Sequence, residues 1–387
     1  MFPEARLDVT LRTHGGAVQG VVVRSTRLVQ ASRLFAGRRP HDVTQLLPTV
    51  FALCGTAQVL ASLGALEQAA GQPLSTAQGP ARHLLLLGEI VSEHSLALAR
   101  DWPELAGLAP DLGMVRRLKL ALGGLRATLY PAGDWNRPGG GVLHPDHAAL
   151  RAAFAEARSA LDQLLDAPLA AVTSDLYAYQ AWIAASPSPV AQLLKQVSSD
   201  ELAAFGRGPF QPMPEQGPAD LSARLETDRE GLYVAQPDSA GRVFETGPLA
   251  RMAWHPVVAG LIGRFGPGLL ARLSARLVEV ASSLQEMEDL VQDLDNDQGA
   301  AACLVDGVGL GLVEAARGLL AHRVELEGGK VTRYQILAPT EWNFHPEGPL
   351  ARGQAGAPVT DDLLRRATLL AHALDPCVAC DIKVENA

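Results

Sequence analysis

Cysteine is scarce in this chain: Cys54, Cys303, Cys377 and Cys380 are the only four in 387 residues. That is too few for a disulfide framework at this length, so their value is local chemistry or packing. Basic runs are missing too. The 33 Lys and Arg are dispersed against 42 Asp and Glu, the net charge is −9, and no nucleic acid or anionic lipid is expected as a partner. No stretch reaches the roughly 18 uninterrupted apolar residues of a spanning helix. The N-terminal Met1-Phe-Pro-Glu-Ala-Arg has no apolar secretion segment behind it, so the expectation is a cytoplasmic protein without membrane insertion. Internal repeats and low-complexity tails are lacking as well. What is present is a globular composition, 48% hydrophobic and 19% charged, with ample length for a core.

Periodicity predicts a mainly α body with small antiparallel β additions. Residues 5–25 read as a hairpin, with Leu7, Val9 and Leu11 alternating and His14-Gly15-Gly16 at the turn. From about 42 to 71 the apolar residues fall at three- and four-residue intervals, which predicts one buried helix carrying Cys54, Ala57 and Ala61 on an inward stripe. A helix follows Gly79-Pro80, loops are expected over 131–147 and 206–218, and helices over 148–165 and between 256 and 294. A second hairpin is expected over 323–337 around Gly328-Gly329, then a last helix from an N-cap at Thr360 to about Leu374.

The sharpest chemical signal is Asp375-Pro-Cys-Val-Ala-Cys380. Asp caps helices, Pro suits a first helical position, and a one-turn spacing lets both sulfurs reach one metal ion or each other. Amide hydrogens at such a turn would favour thiolate. Taken alone, the motif leaves open a redox dithiol, half a zinc site or part of a softer metal site. Two inert buried thiols are the bland alternative.

This ending resembles the C-terminal signature of nickel-iron hydrogenase large subunits, and further segments match in order. Gly37-Arg-Arg-Pro-His-Asp42, Ala52-Leu-Cys-Gly55 and Ala61-Ser-Leu-Gly-Ala-Leu-Glu67 resemble that family's N-terminal cysteine helix. Glu245-Thr-Gly-Pro-Leu-Ala-Arg251, Glu314-Ala-Ala-Arg-Gly318 with His322, and Ala338-Pro-Thr-Glu-Trp-Asn343 are similar to later family blocks. The resemblance spans nearly the whole chain and implies a hydrogenase large-subunit-like fold as a single unit, 1–387. It further implies metal ligands at Cys54, Cys377 and Cys380. Arg317, Pro339 and Thr340 are implied to line the cofactor cavity, with Arg317 near the cyanides.

The departures fall on the chemistry. The family's first pair is Cys-x-x-Cys, whereas Cys54-Gly-Thr-Ala57 lacks the second thiol, and the histidine expected one turn later is Ala61. Where the family carries an Arg-Gly-x-Glu proton relay, this chain has Val29-Gln30-Ala31-Ser32, and serine is no carboxylate base at neutral pH. The histidine that follows the family's last cysteine is Lys383 here. With three of four thiolates the nickel site is incomplete. An iron carrying two cyanides and a carbon monoxide needs fewer protein donors.

This combination resembles the HupK/HoxV group of hydrogenase accessory proteins. The resemblance implies a scaffold with no catalytic residues, holding the iron-cyanide-carbonyl fragment as transient cargo. Its implied partners are hydrogenase maturation chaperones and the hydrogenase large-subunit apoprotein. Alternatives are a divergent hydrogenase or hydrogen-sensing subunit, or a thiol-disulfide protein using Cys377 and Cys380. Cys303, in an apolar context, reads as a packed thiol. His322 and His372 read as satisfied polar residues, Arg251 as a weak cavity candidate, and Glu341-Trp-Asn343 as architectural, with Asn343 bonding backbone beside the cavity.

Overall fold

The computed structural model describes residues 5–27, 31–300 and 306–386. Cys303, Val29 and Gln30 lie outside the described residues. The chain opens with strands β1 (Arg6–His14) and β2 (Ala17–Ser25), paired antiparallel, as the alternation predicts. Gly15 and Gly16 take φ of +59° and +79°, the left-handed pair that a two-residue hairpin turn requires. Leu7, Val9 and Leu11 point one face of β1 into the core.

The single helix expected over 42–71 is two: α1 (Pro40–Val50) and α2 (Gly55–Ala69). Apolar periodicity runs across the break and hides it. Pro48 cannot donate to the last turn of α1, Phe51 leaves the helical region at φ −121° and ψ 74°, and Cys54 becomes the residue that opens α2. Helix α3 (Gln78–Leu96) continues into one π-helical turn, Ala97–Asp101. The helix Leu269–Leu290 packs on α3 along its length. Its Arg272 makes a buried bidentate pair with Glu245, both bonds 2.8 Å, and donates to the Gly206 carbonyl at 2.9 Å.

The second sheet has three strands rather than two: β3 (Gly307–Ala315), β4 (Gly318–Glu327) and β5 (Lys330–Leu337), in that order and antiparallel. β3 escaped the sequence reading because glycine, a poor strand former, fills its inward positions Gly309 and Gly311. Those glycines exist for contact with α2. A Cβ on Gly309 would stand 1.9 Å from the Ala65 carbonyl oxygen, and one on Gly311 would stand 2.0 Å from that of Ala61. The strand therefore lies directly on the helix backbone, and Ala57, Ala61 and Ala65 are fully buried.

The last helix begins at Leu363, with Thr360 bonded to Asp362 rather than capping the helix itself. After it, the Asp-Pro-Cys segment does not start a helical turn. Asp375 ends the helix at φ +54°, residues 377–378 bend, and β6 (Ala379–Asn386) runs parallel to β1, with Cys380 opposite Leu7. The β additions are thus not all antiparallel. Among the described residues no helix is long and apolar enough to cross a membrane.

Candidate functional site

A cavity of about 340 Å3 opens between the end of β2, the turn carrying Ser32 and Leu34, the α1–α2 break, the β3–β4 turn, the block after β5 and the bend at Cys377 and Val378. Its walls are largely apolar, from Phe51, Leu53, Leu320, Ile336 and Val378. The polar groups are few and convergent. Cys54 and Cys377 face it from opposite ends of the sequence, and Arg317, Pro339 and Thr340 line it as the resemblance implied.

Each sulfur has its own donor. Thr340 Oγ1 donates to Cys377 Sγ at 3.2 Å, and Gln58 Nε2 to Cys54 Sγ at 3.6 Å. Burial pushes the Cys54 thiol up to about 12, and the neighbouring Cys377 and Glu89 add to the rise. The first-turn amides of α2 do not offset this. Glu89 on α3 accepts Thr56 N at 2.6 Å and Ala57 N at 3.0 Å, so it occupies the positive end of the helix. The expectation that turn amides of the Cys377–Cys380 segment favour thiolate is not met at Cys380, where burial pushes the thiol up to about 11, with Asp381 and Asp8 adding.

Two guanidiniums flank the thiols. Arg317 reaches Glu93 at 3.2 Å and Asp375 at 3.4 Å. Arg27 donates to Glu341 at 3.1 Å. Burial opposes both charges, but Asp375 and Glu93 beside Arg317, and Glu341 beside Arg27, outweigh it and hold the pKa values above the ordinary arginine value. Neither Arg27 nor Glu341 was singled out for chemistry in the sequence. A buried carboxylate in an otherwise uncharged Pro-Thr-Glu-Trp-Asn run is the signal that pointed there. Ser32 also borders the cavity.

Cys380 does not join this group. Because the chain leaves its bend as a strand, Cys380 faces a second cavity of about 470 Å3 behind the first, with Glu93, Arg276, His372 and Asp375. Cys377 and Arg317 line both cavities and form the wall between them. Among the described residues no group of three or more His, Cys, Asp or Glu is placed to hold a metal ion. Arg251 lies in neither lining. It is buried against Glu279 and Glu314 and donates to the Ala316 carbonyl. Asn343 bonds the Thr246 backbone from both sides, at 3.0 and 2.9 Å, beside the cavity block.

Known proteins share this arrangement of segments. The hydrogenase expression/formation protein HupK of Rhizobium leguminosarum bv. viciae is 35% identical over 380 residues, covering 95% of this chain and 93% of that protein. The chain belongs to the HupK/HoxV family of hydrogenase expression/formation proteins. Another member, HoxV of Cupriavidus necator, is 30% identical over 392 residues, with 94% of this chain and 92% of that protein covered. The nickel-dependent hydrogenase family matches residues 265–383. The Ni-Fe-Se hydrogenase of D. vulgaris Hildenborough superposes with a TM-score of 0.69 at 19% identity, covering 94% of each chain. An NAD+-reducing NiFe hydrogenase gives 0.62 at 17%, covering 94% of this chain and 93% of the other. The fold of this HupK/HoxV family member is therefore that of hydrogenase large subunits. Its cavity brings two of the three expected sulfurs together, with the third behind the wall.

Proposed function

We propose that this HupK/HoxV family chain is a non-catalytic scaffold in nickel-iron hydrogenase maturation. It holds an iron fragment bearing two cyanides and one carbon monoxide on Cys54 and Cys377 and passes it to the hydrogenase large subunit. The names of the relatives carry the coarser part of this reading, a role in hydrogenase expression and formation.

The finer part is supported by one observation: two thiols and two guanidiniums converge on one largely apolar cavity. A ferrous ion with two cyanides, one carbon monoxide and two thiolates carries a net charge of −2. Arg27 and Arg317, although paired with Glu341 and with Glu93 and Asp375, offer it charged N–H donors at close range. In a low-dielectric cavity such charge-assisted donors stabilise an anionic complex far more than surface groups would. Maturation chaperones and the large-subunit apoprotein follow as the proposed partners, since a held fragment needs a donor and an acceptor.

Infrared spectroscopy of protein co-produced anaerobically with the maturation machinery tests the reading. Cyanide and carbonyl bands are expected, lost in Cys54→Ala and Cys377→Ala and retained in Cys380→Ala. Wild-type protein without such bands, or with stoichiometric nickel and dihydrogen turnover, would refute it.

A further inference from the structure

A chain of four hydrogen bonds runs from Cys54 into the interior. Gln58, one turn after Cys54 on α2, places Nε2 3.6 Å from the sulfur and Oε1 2.9 Å from His322 Nε2. On the far side of the ring, Nδ1 lies 2.7 Å from the Tyr334 hydroxyl, which lies 2.7 Å from Ser62 Oγ. α2 supplies both ends, Gln58 and Ser62, while β4 and β5 supply the middle. Gln58, Ser62, His322 and Tyr334 are all buried.

The polarity of this chain follows from counting hydrogens. His322 sits 0% exposed with no carboxylate among its hydrogen-bond partners, so it is neutral and one ring nitrogen carries hydrogen. Nε2 faces an amide oxygen, which has no hydrogen to give, so the hydrogen is on Nε2. Nδ1 is then bare and accepts from Tyr334 O–H. With that hydrogen given to Nδ1, the Tyr334 oxygen meets Ser62 as an acceptor and the Ser62 hydroxyl turns to donate, whereas Tyr334 donating to Ser62 goes with the opposite polarity. The opposite polarity, with hydrogen on Nδ1, requires the Gln58 amide turned over so that its oxygen faces the sulfur. One ring tautomer and one amide orientation are therefore locked together.

We propose that Gln58 is a positioning residue for Cys54: the His322–Tyr334–Ser62 chain holds its amide with an N–H on the sulfur. The sulfur then meets the cargo iron as a hydrogen-bonded, weaker electron donor. The consequence for iron rests on the reading of Cys54 as a cargo ligand, but the polarity of the chain does not. A merely structural role, filling the α2–β4 contact, needs no particular tautomer. Hydrogen bonds to a ligating atom tune a metal in this way.

Nitrogen NMR of ring-labelled histidine in the empty protein reads the tautomer, with the His322 signal assigned by its loss in His322→Gln. Hydrogen on Nε2 is expected at neutral pH, with a mixture of tautomers in Tyr334→Phe. Hydrogen on Nδ1 in the wild type, or an unaltered tautomer in Tyr334→Phe, overturns the proposal. In loaded protein, Gln58→Leu is expected to lower the carbonyl stretching frequency by several wavenumbers, because the freed sulfur donates more charge to iron. An unmoved band overturns the proposal. A wild type with no carbonyl band overturns the cargo reading instead and leaves the tautomer result standing.

Discussion

Gly309→Ala adds a single methyl group at the contact between β3 and α2, and its cost can be worked from the geometry. The new Cβ would lie 1.9 Å from the Ala65 carbonyl oxygen and 2.6 Å from the Ala69 nitrogen, both backbone atoms with no side-chain freedom to yield. Reaching even the 3.0 Å below which Cβ atoms are essentially never found requires helix and strand to part by about 1.1 Å. Close-packed interiors transmit such a displacement rather than absorb it. Overpacking of this kind costs about 1–3 kcal/mol, a sizeable share of the roughly 5–15 kcal/mol that holds a typical protein folded. Gly20→Ala is the control, since nothing lies within 4 Å of the Cβ it would add. Urea unfolding followed by tryptophan fluorescence is expected to show an earlier midpoint for Gly309→Ala and a wild-type or slightly later one for Gly20→Ala. Equal midpoints for the two variants would show that α2 does not rest on the β3 backbone.

Two further outcomes follow from buried charge. Arg272→Ala is expected to destabilise the protein by about 3–5 kcal/mol in the same unfolding assay, because it strands the Glu245 carboxylate, 3% exposed, without its partner. Acid is expected to weaken the fold through His322, which burial pushes down to about 3. The unfolded chain takes up that proton near the usual value of about 6.5 while the folded chain refuses it, so this contribution is complete above that pH and is lost as pH falls. Between pH 7 and 4.5 the wild type is expected to lose up to about 3 kcal/mol more than His322→Gln. Parallel pH profiles of the two proteins would contradict a buried neutral imidazole.

The sequence reading reached the hydrogenase-type fold and the cavity residues Cys54, Cys377, Arg317, Pro339 and Thr340, because motif order survives where identity is low. Alternation located β1, β2 and β4–β5, and three- and four-residue spacing located the long helices. The misses have physical causes. Periodicity cannot register the break before Cys54, since its apolar residues keep step across the break. β3 carries glycine at its inward positions for the sake of close approach, so its buried face lacks the side chains that mark a strand. Asp-Pro-Cys carries the composition of a helix start, yet β1 offers an unpaired edge, and pairing with that edge decides the backbone after residue 378. That pairing is why Cys380 turns from the front cavity. Arg27 and Gln58 carry no local signal, and Glu341 reads as merely architectural, because their importance lies in contacts made across the fold.

The pairing of β1 with β6 also bears on how the molecule is made. β1 leaves the ribosome long before β6, with most of this sequence between them. Until β6 emerges, the inner edge of the hairpin stays open and Cys377 has no fixed place opposite Cys54. Contacts of such long range close late and slowly. The face of the cavity that carries Cys377 is therefore completed only after β6 has been made.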